Sequence, residues 1–296
     1  MKTIDIHTHG IGGFDTQTTS PDDILHIAKI HGSRGVSEIV LTVYPSAIKT
    51  MRENMLAIKK AMEIQSAVGA YCDTPVQKNK ANAKIIGVHL EGPFLNSSKC
   101  GALDAQSFLK PDEYTLKRLI DGFEDIIKII TIAPEIEGAV KLMKKISGMG
   151  IIASMGHSDA TYLEAEAGFR AGARGLTHIF NAMRGIHHRE PGIAGFGLMN
   201  KDIYIEVIAD FFHIEKIMLE FIFSVKDPDR IIIVSDTVKG ANKGPYSHGI
   251  KNEQGKLLGG CMTVQESSEK LVQAGINKET IFKSISENPA RYLQVS

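Results

Sequence analysis

The chain has 296 residues, of which 43% are apolar and 23% charged, as in ordinary globular proteins. Lys and Arg number 34 and so do Asp and Glu, so the zero net charge argues against binding to nucleic acid or anionic membranes. The most apolar stretch, 126–132, is too short to cross a bilayer. Three widely spaced cysteines and the lack of a leader pattern predict a cytoplasmic protein without a disulfide framework.

Short β-branched runs alternate with longer helical patterns along the chain. Ser20 before Pro21 marks the first helix start, because serine caps free N–H groups and proline fits the first turn. The runs are almost continuously apolar, as in parallel strands covered on both faces. They predict strands at residues 3–7, 37–43, 85–90, 126–132, 150–155, 175–178, 203–209 and 230–235. Further helices are predicted at residues 47–67, 112–121, 136–148, 159–171, 214–225, 263–274 and 278–285.

Eight strands that alternate with helices predict a closed (β/α)8 barrel of the TIM type, with a doubly wound open sheet as the alternative. We expect a single catalytic domain over residues 1–296, since no linker marks a second one. Two long loops, 96–111 and 237–260, follow the third and eighth strands. Loops at the carboxyl ends of barrel strands build the active face, so functional residues are expected there.

Histidine and glutamate stand at the ends of several predicted strands. His7 and His9 are alternate residues of an extended segment, so both rings can face one ion, although two polar residues at a strand end also need no ion. Glu91 ends the third strand, where its carboxylate can bind one metal, bridge two, or merely cap a turn.

His157 and His178 follow the fifth and sixth predicted strands. Either residue alone is more typical of a hydrogen-bonded core or rim histidine, but the two together with Glu91 favour a metal site. One glutamate and two histidines leave coordination positions open for water and substrate, as a catalytic metal requires. Zn, Fe, Mn and Co all accept such donors, and one or two ions are compatible with them.

Three other residues at the predicted active face can act on a substrate. Asp236 ends the eighth strand, where it can take and return a proton during water attack or, alternatively, cap the next turn. His213 follows the seventh strand and can hydrogen-bond a substrate carbonyl or hydroxyl group. Arg189 lies in a glycine-rich loop after the sixth strand, where it can hold an anionic group such as phosphate or simply be solvated.

The chain resembles the amidohydrolase superfamily, and within it the N-acetylglucosamine-6-phosphate deacetylases. The resemblance runs almost from end to end, and HLEGP together with THxFNAM is its most specific part. The segments that carry it are DIHTHGIGGFD (5–15), HLEGPFL (89–95), IAPE (132–135), GHSDA (156–160), THIFNAM (177–183), REPGIAG (189–195), IAD (208–210), VSD (234–236), LGGCMT (258–263) and NPAR (288–291).

The resemblance implies a role for each of these candidates. Glu91, His157 and His178 would bind the principal metal, His7 and His9 would hold a second metal, and Asp236 would be the general base and acid. The sugar phosphate would be contacted by Asn181, Ala182, Arg189, His213, Ala102, Leu258, Gly259 and Gly260. Arg189 would reach across from a neighbouring subunit, which implies a homodimer.

Some positions depart from the family pattern. Leu103 replaces a usual histidine and cannot hydrogen-bond, and Thr237 replaces a usual alanine. Phe211 and Phe212 precede His213 where the family has glycine, so we expect two rings to narrow or reshape the sugar pocket. The chain is also expected to lack most or all of the small β-sandwich of family members.

The predicted function is therefore metal-dependent removal of the acetyl group from an amino-sugar phosphate, N-acetylglucosamine 6-phosphate first. One alternative is a related amidohydrolase that acts on another N-acyl amino sugar or an N-acyl amino acid. The other is a sugar-phosphate-binding relative without turnover.

Overall fold

The structure is a computed structural model that describes residues 2–71, 82–241 and 249–294. Eight parallel strands form one sheet, in the order in which they follow along the chain. They are β1 (Ile4–Thr8), β4 (Glu38–Val43), β5 (Lys84–Glu91), β6 (Ile127–Ile132), β7 (Ile152–Met155), β8 (Gly175–Leu176), β9 (Tyr204–Ile208) and β10 (Ile231–Val234). The N–H of Asp236 donates to the carbonyl of His7 at 2.8 Å, which joins the last strand to the first. The predicted barrel is confirmed, and the open sheet is not adopted.

Helices lie between the strands and after them. Their bounds are α1 (Pro21–Ser33), α2 (Ile48–Tyr71), α3 (Glu113–Ile120), α4 (Ala139–Gly148), α5 (Tyr162–Arg170), α6 (Gly192–Met199), α7 (Lys216–Val225), α8 (Val264–Gln273), α9 (Lys278–Phe282) and α10 (Asn288–Leu293). The Ser20 side chain accepts the N–H of Asp23, so the predicted cap of α1 is confirmed. All eight predicted strands are present, with ends that differ from the prediction by at most a few residues.

Helix α6 is one of the elements that the sequence analysis missed. It occupies the segment that was assigned to a glycine-rich loop, and seven of its eight residues are buried. Three glycines in eight residues conceal the helix, because glycine is a weak helix former and an element that is apolar all round has no amphipathic period. Burial against the barrel stabilises the helix in spite of its low intrinsic propensity.

Two apolar clusters fill the domain. The larger lies between the sheet and the helices and includes Ile39, Leu41, Met55 and Leu116. The smaller lies inside the ring of strands, where alternate residues of the strands meet α10: Ile4, Ile6, Val40, Ile129, Tyr204, Ile208, Ile232, Val234, Tyr292 and Leu293. The amino end of the barrel is thus closed by packing, which leaves the carboxyl end for the site.

The strands outside the barrel are short. β2 (Gly10–Ile11) pairs with β3 (Phe14–Asp15), and β11 (Ile250–Lys251) pairs with β12 (Leu257–Gly259), which belongs to the second long loop. Within the described ranges these are all the strands beyond the barrel, so this part of the chain contains no β-sandwich, as expected. Residues 242–248 of that loop lie outside the described residues, and the extent of a single domain over 1–296 stays a prediction.

Cys100 and Cys261 are free thiols, and Cys72 lies outside the described residues. None of the described helices has the length and apolar content that a membrane span needs.

Candidate metal and catalytic site

The carboxyl ends of the strands bring the predicted donors together. Glu91 is the last residue of β5, and His7 lies near the end of β1. His157, His178 and Asp236 each stand two residues beyond the end of their strand. Residues that are distant in sequence therefore meet at one rim, because parallel barrel strands all end on the same side.

Three of these side chains depend on an unusual backbone conformation. The φ angles of His157, His178 and Asp236 are +48°, +33° and +48°, in the left-handed region that residues other than glycine rarely adopt. Each such residue costs of order 1–3 kcal/mol and persists only where the surroundings impose it. Three of them at equivalent positions of three strands mark this rim as a functional site.

The first group of donors is Glu91, His157 and His178, all of which are buried. Glu91 Oε1 lies 3.1 Å from His157 Nε2 and 2.9 Å from His178 Nε2, and the two Nε2 atoms are 3.2 Å apart. Ligand atoms around a tetrahedral ion with bonds of about 2.0–2.1 Å are separated by about 3.3 Å. The spacing of the three atoms therefore fits one small divalent cation.

The hydrogen bond of His157 supports the same conclusion. Its Nδ1 lies 2.9 Å from the Lys99 carbonyl oxygen, which can only accept, so Nδ1 carries the proton. In the neutral ring, Nε2 then directs a lone pair at the Glu91 carboxylate. Two acceptors in contact need a positive charge between them, which a divalent cation held by these side chains would provide.

A second group consists of His7, His9 and Asp236. Asp236 Oδ1 lies 3.4 Å from His7 Nε2 and 3.5 Å from His9 Nε2. The other oxygen of Glu91, Oε2, lies 3.2 Å from His9 Nε2. The Glu91 carboxylate thus stands between the two groups, where it can serve one ion or bridge two.

Asp236 is placed for proton transfer. Burial, and then the nearby negative charge of Glu91, raise the pKa of its carboxyl group to about 8. Only 13% of the side chain is exposed, and that part faces the cavity at the rim. A carboxyl group that can hold a proton near neutral pH is suited to act as both base and acid.

His213 is held by Asp210. Its Nδ1 lies 2.9 Å from Asp210 Oδ2, while Asp210 Oδ1 accepts the backbone N–H groups of Phe212 and His213. Burial alone would raise the pKa of Asp210, but the hydrogen bonds with His213 and with these backbone groups hold it below its ordinary value. The His213 ring lines the cavity, with Nε2 left to meet a ligand.

A cavity of about 380 Å³ lies over the two groups. The loop after β5 forms part of its wall through Gly101, Ala102 and Leu103. A side chain at Gly101 would place its Cβ atom 3.2 Å from the His157 ring, so glycine lets this loop approach the donor. The predicted residues that line the cavity are His9, Glu91, Ala102, His157, His178, Asn181, Ala182, His213, Asp236, Leu258 and Gly259.

Three predicted residues do not line this cavity. His7 is fully buried behind the donors, and Gly260 lies behind the wall, where its N–H donates to the carbonyl of Asp236 at 2.7 Å. Arg189 is exposed in the loop before α6, away from the cavity of its own chain.

The two phenylalanines do not line the cavity and so do not narrow it directly, and the expected reshaping of the sugar pocket stays a prediction. Neither ring is among the lining groups, and Phe212 packs behind the β11–β12 hairpin against Gly249. The Lys270 ammonium lies 5.9 Å from the Phe211 ring centre and 6.0 Å from that of Phe212. Leu103, in contrast, does line the cavity and contributes no hydrogen bond to it.

The sequence analysis gave no role to several residues at the site, among them Tyr44, Glu206, Lys251 and Lys256. Tyr44 follows β4 and stacks on the ring of His9, with centres 3.8 Å apart and an interplanar angle of 17°. Glu206 lies in β9 and contacts His7 Nδ1 at 3.0 Å. Lys251 and Lys256, on the hairpin, line the cavity and form no ion pair with any described residue. Tyr44 had a signal because it directly follows a predicted strand, and Lys251 and Lys256 had one because they lie in the second long loop, whereas Glu206 had none.

No protein-family model matches the chain. It is 30% identical over 308 residues to the N-acetylglucosamine-6-phosphate deacetylase of Lysinibacillus sphaericus, a match that covers 99% of this chain and 76% of the relative. It is 28% identical over 305 residues to the N-acetylgalactosamine-6-phosphate deacetylase of Escherichia coli O157:H7, with coverage of 99% and 77%. The solved N-acetylglucosamine-6-phosphate deacetylase of Thermotoga maritima matches with a TM-score of 0.84 and 26% identity, over 99% of this chain and 78% of that one. Shared sequence over the whole chain, shared fold and the converging donors lead to one conclusion: the chain belongs to the N-acetylglucosamine-6-phosphate deacetylase family.

Proposed function

We propose that the protein hydrolyses the N-acetyl amide of an amino-sugar 6-phosphate, N-acetylglucosamine 6-phosphate in the first place, to acetate and the free amine. The observation that carries the proposal is the convergence of Glu91, His157 and His178 with Asp236 at one cavity. Family membership supplies the substrate class, since the relatives named above are deacetylases of amino-sugar 6-phosphates.

The residues of the cavity have different roles in amide hydrolysis. A divalent cation held by Glu91, His157 and His178 would supply Lewis-acid chemistry, lowering the pKa of water and polarising a carbonyl group. Asp236 takes a proton from the attacking water as its oxygen bonds to the acetyl carbon. When the C–N bond breaks, Asp236 returns that proton to the amine nitrogen. His213, whose Nδ1–H donates to Asp210, presents Nε2 to the substrate, where the neutral ring accepts from a hydroxyl group and the protonated ring donates to a carbonyl oxygen.

An acetate-release assay tests this function. We expect the purified protein, loaded with Zn²⁺, Mn²⁺, Fe²⁺ or Co²⁺, to release acetate from N-acetylglucosamine 6-phosphate, and to stop after treatment with a chelator. Parallel reactions with the galacto epimer, with unphosphorylated N-acetylglucosamine and with an N-acetyl amino acid separate the alternatives. The galacto epimer is a specific second candidate, because one relative is named for it. If none of these compounds releases acetate, the remaining alternative is a protein that binds sugar phosphates without turnover.

The phosphate group needs a positive partner, and Arg189 is proposed to act on the cavity of a neighbouring subunit. Arg189 is exposed in the loop that follows β8 and does not line the cavity of its own chain. Three residues before it, Ile186 is 50% exposed and lines one groove with Met199, 67% exposed, and Phe221, 43% exposed. This exposed apolar groove supports a homodimer contact that includes the Arg189 loop. The free thiols support a reducing, cytoplasmic location for the activity.

We expect Arg189→Ala to lower kcat/KM for the phosphorylated substrate by about 10- to 100-fold, mainly through KM, because one charged hydrogen bond is lost. The unphosphorylated sugar should be affected little. Mixing this variant with Asp236→Asn and allowing subunits to exchange should restore activity, since mixed dimers contain sites with both residues intact. Without restoration, Arg189 does not act across the interface.

Lys251→Gln and Lys256→Gln are the matched controls for this experiment. Both ammonium groups line the cavity of their own chain. If one of these substitutions raises KM for the phosphorylated sugar more than Arg189→Ala does, the hairpin holds the phosphate from within the same subunit.

A further inference from the structure

We propose that Glu206 is a positioning residue for the second group of donors. It accepts the Nδ1–H of His7 and thereby directs the Nε2 lone pair of His7 to the cation that His7, His9 and Asp236 would hold. The inference rests on the proposed function only in that it concerns the same centre, because it is tested by ion binding without substrate.

Glu206 lies at the middle of β9, in the inner wall of the barrel. Tyr204 and Ile208, two residues to either side, belong to the apolar cluster inside the ring of strands. Glu206 is 1% exposed, and its Oε2 lies 3.0 Å from Nδ1 of His7, which is 0% exposed. A carboxyl group in this apolar layer is costly to desolvate, whereas leucine at the same place would add to the packing.

The contact determines which nitrogen of His7 faces the donors. With the proton of the neutral ring on Nδ1, the other nitrogen carries a lone pair and no proton. That nitrogen, Nε2, lies 3.4 Å from Asp236 Oδ1 and 3.6 Å from Glu91 Oε1, which are acceptors as well. It has no hydrogen-bond partner among the residues described. Such a lone pair, buried among carboxylates, is suited to a cation.

His157 in the first group shows the same arrangement. Its Nδ1–H is held by the Lys99 carbonyl, which directs Nε2 at Glu91. A ligating histidine commonly donates its second N–H to a carboxylate or a carbonyl, and loss of such a partner weakens ion binding by about 10- to 100-fold. Each group therefore has one histidine whose ring is fixed from behind, His157 by a backbone carbonyl and His7 by Glu206.

The other side chains around His7 do not replace this contact. The His89 ring packs edge-on against the His7 ring at 4.6 Å, but its Nε2 is bound to the Thr131 hydroxyl at 2.7 Å. The oxygen that Glu206 turns away from His7, Oε1, has no hydrogen-bond partner among the described residues. The contact between Glu206 and His7 is thus the one polar contact that orders this ring from the barrel interior.

Ion titration of the chelator-treated protein tests the inference. We expect the wild type to bind two Co²⁺ ions, with a visible absorption band for each, as measured by equilibrium dialysis and spectroscopy. Glu206→Met should lower the affinity for one of the two ions by about 10- to 100-fold and leave the affinity for the other unchanged. Adding His157→Ala to Glu206→Met should then remove the ion that remains. Glu206→Gln keeps an oxygen that can accept the Nδ1–H and should recover most of the lost affinity.

Glu38→Met is the matched control, since Glu38 is also a buried strand carboxylate but lies at the start of β4, at the opposite end of the barrel. This substitution should change the stability of the fold without changing the affinity for either ion. A Glu206→Met protein that binds both ions as the wild type does would overturn the inference. The inference would also be overturned if Glu206→Met and Glu206→Gln both lowered the affinity for the two ions equally. A wild type that binds a single ion at every concentration would overturn it as well. Acetate release plays no part in these outcomes, so failure of the proposed function is seen separately.

Discussion

Replacement of Asp236 by asparagine is expected to lower kcat by about 10³-fold while the protein keeps the ion of the first group, whose donors are Glu91, His157 and His178. The amide oxygen can occupy the place of Oδ1 beside His7 and His9, at 3.4 and 3.5 Å, so the donors stay together. An amide cannot accept the proton of water or deliver one to the amine. The loss should appear in kcat rather than in KM, because the proton moves only in the chemical steps. Steady-state rates and the ion content of the same sample, measured by atomic emission, check both halves of the expectation.

Asp227→Asn is the control for this experiment. Asp227 lies before the opposite end of β10, where its Oδ1 accepts the N–H of Asp229 at 2.9 Å, and asparagine can accept this bond as well. The control should retain nearly full activity. Asp236→Asn with more than a tenth of the wild-type kcat would show that another group moves the proton.

Replacement of Glu91 by glutamine is expected to remove the ions themselves. Its two oxygens contact both donor groups, Oε1 at 2.9 Å from His178 and Oε2 at 3.2 Å from His9. A neutral amide loses the charge that offsets that of the cation, so the affinity of both groups should fall. Activity should become undetectable at ion concentrations that saturate the wild type.

Thermal unfolding gives a second measurement for Glu91→Gln. An ion at 100 times its Kd stabilises the folded state by about 2.7 kcal/mol, which corresponds to about 5–10 °C in Tm for a domain of this size. The wild type should show this shift when Co²⁺ or Zn²⁺ is added, and Glu91→Gln should show almost none. Glu38→Gln, which changes a buried carboxylate far from the donors, should keep the full shift. An equal shift in all three proteins would exclude Glu91 as a ligand.

Much of the barrel can be predicted from the sequence because its strands are nearly continuous apolar runs between helical patterns. Strands such as Ile231–Val234 are covered by apolar side chains on both faces, and few other elements have that composition. The donors can be predicted because each follows such a run. Helix α6 could not be predicted in this way, since its glycines obscure a helix that tertiary packing stabilises.

The remaining parts of the site depend on tertiary contacts, which the spacing of residues along the chain does not reveal. Glu206 stands in a run of apolar residues, and alternation alone does not say whether a residue faces the barrel interior or a helix. The position of Phe212 depends on its packing against Gly249, next to the β11–β12 hairpin, which lies far along the chain. The proposed action of Arg189 on a neighbouring subunit depends on contacts between chains, which residue spacing does not contain.

The left-handed backbone at His157, His178 and Asp236 also limits which substitutions the protein can accept there. Glycine at any of these positions would relieve the torsional penalty but would delete a donor or the proton carrier. Selection for a more stable fold and selection for catalytic activity therefore oppose each other at these three residues. Variants selected for resistance to heat while acetate release is still required should accumulate changes on the helices and avoid these three positions.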